Sequence, residues 1–344
     1  MLNSSYLIFT KNRYKMIKWG IIGVGEVCEV KSGPALQLAE GSELIAVMRR
    51  TGHLAEDYAK RHGISKWYSK ADDLINDPDI NAIYIATPPD GHAPYTAMAA
   101  KAGKAVYVEK PMARSHQECL KMVDICLQSS VPLFVAYYRR ALPNFLKIKE
   151  LIDSEAIGDV RFLDIKLRQP MVPSIVGQND NLDNWRTQPG IAGGGYFYDL
   201  ASHQLDFLDF LFGPVIKAKG IAKNMGKSYQ AEDTTMGVFE FERGVMGTGN
   251  WCFAVSPESE IEETTIYGSM GRISFPFFTG THVTLKVDGE KEQIFNFEMP
   301  KHIQQPLIQS MVDELNGKGE CLSTGVSAAR TNWVMEQICH RVDV

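Results

Sequence analysis

Ile17-Lys18-Trp19-Gly20-Ile21-Ile22 runs without interruption into Gly23-Val24-Gly25-Glu26-Val27-Cys28. An apolar run that ends directly in glycines predicts a buried strand, a tight turn and the start of a helix, whose free backbone N–H groups suit a pyrophosphate. Gly23, Val24, Gly25, Glu26 and Val27 are therefore candidate cofactor contacts. Cys28 stands where a third glycine is usual; close helix-strand packing asks for a small side chain there, and cysteine is small. Glu26 has to point away, because a carboxylate beside a pyrophosphate is repelled.

Glycine turns after strands are common, so the neighbouring segments decide. Ser42-Glu43-Leu44-Ile45-Ala46-Val47-Met48 follows at the distance of a second strand, after a helix over 34–39. Helical periodicity returns over 54–61 and from Ala71, and Ala82-Ile83-Tyr84-Ile85-Ala86 reads as another strand, ending in Thr87-Pro88-Pro89-Asp90-Gly91-His92. A proline pair cannot continue a central strand, so the backbone turns outward there, at the ligand edge. His92 caps the next helix, borders the cofactor or is structural. After a helix over 93–102, Ala105-Val106-Tyr107-Val108 stops abruptly at Glu109-Lys110-Pro111. As a buried parallel strand it delivers a carboxylate and an ammonium into the crevice where open α/β sheets take ligands; the alternative is a surface strand end with solvated charges. A helix over 115–128 and a strand over 133–137 complete a parallel, doubly wound dinucleotide-binding domain over 16–138.

The second strand of an NAD-selective site normally ends in Asp or Glu, which binds the ribose diol. Here it ends in Met48-Arg49-Arg50-Thr51. Two guanidinium groups and a hydroxyl suit a 2′-phosphate, so Arg49, Arg50 and Thr51 favour NADP(H) over NAD(H), unless the arginines merely solvate a loop.

Composition narrows the class. The chain has 344 residues, 44% hydrophobic and 22% charged, with a net charge of -5. That is the profile of a soluble two-domain protein, without the basic stripe that nucleic acid requires. No run approaches the ~20 apolar residues that span a bilayer. Six cysteines without Cys-x-x-Cys spacing point to a reduced, cytoplasmic protein, and no cluster has zinc spacing, so no metal is expected. Residues 1–15 read as a leader upstream of the fold.

Beyond Tyr138-Arg139-Arg140 the pattern changes. A helix over 144–154 precedes alternating strands over 160–167, 215–222, 234–241, 245–253, 263–267 and 283–297, with hairpin turns at Glu242-Arg243-Gly244 and Asp288-Gly289. The second domain, 139–344, is thus expected to be a large, mostly antiparallel open sheet for substrate binding. One face is left for helices and the other for a partner subunit, giving a homodimer or homotetramer. Within it lie Trp185-Arg186 and Gly193-Gly194-Gly195-Tyr196-Phe197-Tyr198-Asp199-Leu200-Ala201-Ser202-His203-Gln204-Leu205-Asp206. The glycines permit close approach of another surface, and Asp199, His203 and Asp206 at i, i+4 and i+7 share one helix face. A histidine flanked by carboxylates is held in one tautomer and suits a general base for a hydroxyl; the structural alternative is a capping aspartate and a buried, hydrogen-bonded histidine.

The glycine turn, Ala86-Thr87-Pro88-Pro89 with His92, Glu109-Lys110-Pro111, Tyr138-Arg139-Arg140, Trp185-Arg186, and the three glycines with Asp199 and His203 together resemble the glucose-fructose oxidoreductase / inositol dehydrogenase / rhizopine-catabolism (Gfo/Idh/MocA) family, as do Ser323-Thr324-Gly325 and the 328–338 helix. The resemblance implies a pyridine-nucleotide oxidoreductase acting on a secondary hydroxyl or carbonyl of a sugar, polyol or related cyclic compound. Lys110 matches the family's lysine beside the nicotinamide and the reacting oxygen. Asp199 and His203 match its substrate aspartate and acid/base histidine, and Asp206 a carboxylate that pairs with that histidine. It also implies cofactor contacts from Thr87, Pro88, Pro89, His92, Glu109, Lys110, Trp185 and Arg186, substrate contacts from Tyr138 and Tyr198, and a cis Lys110-Pro111 bond. The unusual Tyr196-Phe197-Tyr198 suggests a stacking wall for a sugar ring. Two other readings share the fold: a glycosidase that keeps its nucleotide and oxidises transiently, and a nucleotide-binding regulator without chemistry.

Overall fold

The computed structural model describes residues 16–171, 173–176 and 184–339, and the expected leader lies outside the described residues. Six strands, β1 (Ile17–Ile22), β2 (Ser42–Met48), β3 (Lys66–Tyr68), β4 (Ala82–Ile85), β5 (Ala105–Val108) and β6 (Leu133–Val135), pair in parallel in the order β3-β2-β1-β4-β5-β6. This is the doubly wound arrangement, and the strand order reverses between β1 and β4, where the crevice opens at the carboxyl ends.

Strands β4, β5 and β6 read as unbroken apolar runs because both faces are covered. Trp19, Tyr84, Tyr107 and Phe134 point to one face, and Ile22, Ile83, Ile85, Val106 and Val108 to the other. The aromatic face is continuous with the core of a second sheet. That sheet contains β7 (Val160–Arg168), β8 (Val215–Lys223), β9 (Thr234–Phe241), β10 (Met246–Cys252), β11 (Ile261–Gly268), β12 (Gly271–Phe275), β13 (Val283–Val287) and β14 (Gln293–Phe295), in the order β14-β13-β12-β11-β7-β10-β9-β8. All neighbours are antiparallel except β7 and β10. The 283–297 segment divides into β13 and β14 at a turn where Gly289 has φ of +77°. No sequence expectation covers the three-residue β3, or β12, whose flanking glycines and Ser269-Met270 look like loop.

The carboxyl-terminal segment further ties the sheets together. Thr324 bridges Phe134 at the end of β6, and the helix Gly325–Cys339 packs against the helix His116–Gln128 and against β8. Gln304 enters beneath the parallel sheet, accepting from Tyr107 Oη at 2.7 Å and donating to Glu109 Oε1 at 2.8 Å. The carboxyl-terminal third therefore supports the strand that carries Lys110.

Candidate active site

At the end of β1 the N–H groups of Gly23 and Val24 donate to the Met48 carbonyl at 2.9 and 3.3 Å, placing the glycine turn against the end of β2. Gly23 has φ of +93°, and a Cβ there would meet Thr87 Cγ2 at 2.8 Å. Only glycine satisfies both conditions. At Gly25 a Cβ would meet nothing nearer than 3.9 Å, so the backbone is open to an approaching group. The short helix Glu26–Val30 follows, Glu26 is exposed, and Thr87 Oγ1 is a buried hydroxyl without a hydrogen-bond partner among the described residues. An open backbone cradle beside an unsatisfied hydroxyl, at the strand-order reversal, fits a dinucleotide. Cys28 is fully buried, and burial pushes its thiol up to about 12, so it serves as a small apolar residue in the third-glycine position. Val24 and Pro89 also turn into the core, and Val27 and Pro88 are half-buried.

Two predicted cofactor contacts have other duties. His92 is fully buried, with Nε2 2.8 Å from the Thr87 carbonyl and Nδ1 3.1 Å from both the Pro111 and Met112 carbonyls. It staples the loops after β4 and β5 together and does not line the crevice. Glu109 turns inward: Oε1 accepts from Tyr84 Oη at 2.6 Å as well as from Gln304. The carboxylate anchors the strand end, and only the next residue faces the crevice.

That residue is Lys110, whose bond to Pro111 is cis. Its Nζ donates to Asp199 Oδ1 at 2.6 Å and to the Asp199 carbonyl at 3.0 Å. The approach depends on the glycine loop, where Gly193 has φ of +83° and a Cβ would come within 2.4 Å of the Arg114 carbonyl. Arg186, stacked 4.5 Å over Trp185, brings Nε to 3.2 Å from Asp199 Oδ2. Burial alone would raise the Asp199 pKa; the Lys110 and Arg186 cations outweigh it and hold the carboxyl below the usual range.

The expected shared face of Asp199, His203 and Asp206 is broken between Asp199 and His203. Residues Phe197–Ala201 make an i→i+5 turn before the α-helix Ser202–Phe212, so spacing based on an α-helix fails across it. Asp206 does not pair with His203. Its carboxylate takes two bonds from Arg140, Nε to Oδ2 at 2.7 Å and Nη2 to Oδ1 at 2.6 Å, with both side chains buried. A planar fork satisfies a buried carboxylate better than an imidazole can, which removes Asp206 from the site.

His203 instead lies among rings, its centroid 5.9 Å from Tyr137, 5.3 Å from Tyr138 and 6.1 Å from Phe278, with Nδ1 lacking a hydrogen-bond partner among the described residues. Burial, reinforced by the charges of Lys110, Arg139 and Lys31, pushes its pKa well below the ordinary histidine value. The imidazole is therefore neutral near pH 7 and has the form a general base requires. Tyr138 is at the same spot; burial would raise its hydroxyl, but Arg139, Lys31 and Lys110 more than offset that and lower it. Tyr196, Phe197 and Tyr198 are each no more than 2% exposed and pack on Trp251, Phe253 and Gly194. They form core beneath the loop, not a stacking wall for a sugar.

Arg49, Arg50 and Thr51 are exposed at the end of β2, beside the glycine turn, and neither arginine has an ion-pair partner among the described residues. Two further cations, Arg139 and Lys31, act electrically on Tyr138 and His203. Arg139 was legible only as part of a motif, and Lys31, after the glycine-turn helix, carries no local signal. No group of His, Cys, Asp or Glu among the described residues could hold a metal, and no described helix is long and apolar enough to cross a membrane.

Comparison with known proteins gives the same assignment for both halves. An oxidoreductase-family model for an NAD-binding Rossmann fold matches residues 17–137, and the GFO/IDH/MocA C-terminal domain model matches 145–274. Oxidoreductase P35 of Formosa agariphila is 41% identical over 324 residues, 94% of this chain and 98% of its own. The 1,5-anhydro-D-fructose reductase of Ensifer adhaerens is 26% identical over 318 residues, covering 90% of this chain and 91% of its own. The crystal structure of the aldose-aldose oxidoreductase of Caulobacter crescentus, complexed with glycerol, shares the fold with a TM-score of 0.82 at 22% identity, covering 95% and 97% of the two chains. The open cradle at the strand-order reversal, the lysine-aspartate pair above it and these matches together make the chain a member of the Gfo/Idh/MocA family of NAD-binding oxidoreductases.

Proposed function

We propose that this chain is a cytoplasmic, NADP(H)-preferring dehydrogenase or reductase acting on a secondary hydroxyl or carbonyl of a sugar, polyol or related cyclic compound. The observation that carries the reading is the meeting of Lys110, from the parallel sheet, with Asp199, four residues before a neutral imidazole on His203 whose Nδ1 has no hydrogen-bond partner among the described residues. The sugar relation of the Ensifer reductase supports the substrate class. In the oxidative direction His203 accepts the hydroxyl proton as the carbonyl forms. Lys110 balances the negative charge that develops on that oxygen, and Asp199 holds the Lys110 ammonium in place. A nicotinamide cofactor, when bound at the glycine turn, would supply the acceptor for the hydride that leaves the same carbon.

Cofactor choice rests on Arg49 and Arg50, which stand where a diol-binding carboxylate would select NAD(H). A panel of sugars and polyols, followed by nicotinamide absorbance, is expected to show turnover with KM for NADP⁺ below that for NAD⁺. Arg49→Asp should shift that ratio by about 10- to 100-fold toward NAD⁺, the worth of one charge-assisted hydrogen bond with added repulsion. Equal use of both cofactors by the wild type, or an unchanged ratio in the variant, would remove the NADP(H) assignment.

The outer face of the second sheet supports an oligomer. Ile221, Met236, Val238 and Met246 are each more than half exposed on adjacent strands β8, β9 and β10, an apolar surface that a second copy would cover. Sedimentation velocity is expected to find a dimer or tetramer, dissociated in Met236→Glu/Met246→Glu. A wild-type monomer at micromolar concentration would contradict this.

A further inference from the structure

Around Lys110 and His203 there is more positive charge than the cleft's own carboxylate answers. Asp199 is matched by Lys110 and Arg186. Arg139 and Lys31 have no carboxylate partner among the described residues, although both act electrically on His203 and Tyr138. Arg139 is held instead by aromatic faces: its guanidinium carbon lies 4.6 Å from the Phe278 ring centroid, 5.1 Å from Tyr138, 5.4 Å from Phe277 and 6.0 Å from Phe145. Nε donates to the Phe277 carbonyl at 3.2 Å and Nη1 to Tyr138 Oη at 2.8 Å, while Nη2 donates to nothing among the described residues.

Ring faces attract a cation without neutralising it, so the cage fixes the fork in place and leaves its charge unspent. A half-buried guanidinium without a counter-ion carries a desolvation cost that an anionic ligand would offset. The position of the fork matters as much as its charge. His203 packs on two of the same rings, Tyr138 and Phe278, so the guanidinium and the imidazole share one wall, within the reach of a single hexose and its substituents.

Resting on the hydride-transfer reading above, we infer that the substrate is an acidic sugar or polyol. A carboxylate or phosphate ester on it accepts from Arg139 Nη2, Lys31 adds longer-range attraction, and the reacting hydroxyl faces Lys110 and His203. A planar fork with a free N–H edge suits either anionic group, and a neutral sugar would leave it unanswered.

The test is calorimetric binding of glucuronate, glucose 6-phosphate and glucose to the NADP⁺-loaded full chain, at low and high salt. At least one acid is expected to bind about tenfold or more tightly than glucose, the worth of a hydrogen bond to a charged group, with the preference shrinking in high salt. The two acidic arms identify which anion is preferred. Arg139→Gln is expected to abolish the preference while NADP⁺ affinity stays unchanged, and Arg139→Lys to retain part of it. Should the glutamine variant fail to fold for want of its cage contacts, the exposed Lys31→Gln reports the same preference at reduced size. Equal binding, or none, across the panel overturns the inference, as does an acid preference that survives Arg139→Gln or a parallel loss of NADP⁺ affinity. Because the readout is binding, acid preference without hydride transfer would keep this inference and remove the oxidoreductase substrate reading. Oxidation of neutral sugars without acid preference would do the reverse.

Discussion

Lys110→Met is expected to fold, to bind nucleotide, and to lose about 10²- to 10³-fold in turnover, the range for removing one pre-placed charge-stabilising donor. Methionine keeps the length and apolar stem of lysine, and Arg186 remains on Asp199, so the local fold survives. What disappears is the ammonium that the Asp199 carboxylate and carbonyl hold at the strand end. His203→Asn is expected to cost about 10²- to 10⁴-fold, because it removes the proton acceptor itself. Their pH profiles separate the two roles. With the His203 pKa held well below the usual value, the neutral base persists above that low pKa, and kcat/KM falls only as pH drops through it. The wild type should therefore show its acid limb below about pH 6.5, the ordinary imidazole range. Lys110→Met should keep that limb and His203→Asn lose it. Turnover close to wild type in both variants would rule out the scheme, and an acid limb that vanishes with Lys110 would move the proton to the lysine.

Arg140→Met is expected to have the largest effect on stability, about 3–5 kcal/mol, because it strands a buried carboxylate that the wild type pairs with two bonds. Arg140 also donates to the Leu322 carbonyl at 3.0 Å and lies 3.6 Å from Asp209, which Arg330 of the last helix holds at 2.6 Å. The substitution therefore loosens the junction of both sheets with the carboxyl-terminal helix. Burial already lifts the Asp206 carboxyl to about 6 against the pull of Arg140. Without the guanidinium it rises further, so the folded chain holds a proton that the unfolded chain releases. A group raised in this way favours the fold below the unfolded carboxylate value of about 4 and loses that contribution as pH rises through the folded value. The variant's deficit relative to the wild type should thus be full above its own raised folded value and shrink as pH falls through that value toward about 6, below which both folded chains hold the proton and the difference stays constant. Urea midpoints at neutral and mildly acidic pH measure this; a deficit under about 1 kcal/mol, or one that grows on acidification, would mean that the pair is not what holds the junction.

The same pair shows where sequence reading reaches its limit. Asp206 stands three residues after His203, and local spacing offers it as the histidine's partner. Which cation claims it depends on Arg140, 66 residues earlier, reaching the same buried volume first with a better fork. Glu109 is a similar case: its chain position beside Lys110 suggests the crevice, yet Tyr84 and Gln304, 195 residues on, draw it into the core. The three aromatics before Asp199 look like a ligand wall until Trp251 and Phe253 bury them. Arg139 gave no role by itself, because a guanidinium without a counter-ion can be recognised only when everything around it is in place.

The sequence by itself determined the strand-turn-helix opening, the alternation of strands and helices, the mostly antiparallel second sheet, and Lys110, Asp199 and His203 as candidate site residues. The strands, turns and helices are written in hydrophobic period and turn chemistry, which act over a few residues, whereas the three site residues stand out only through the order of motifs that resemble the family. Only the tertiary structure decided that Lys110 meets Asp199, that Asp206 serves Arg140, that His203 lies buried among rings, and that Arg139 has no carboxylate partner among the described residues. Burial and ion pairing depend on which distant segments share one volume, and no local pattern encodes that choice.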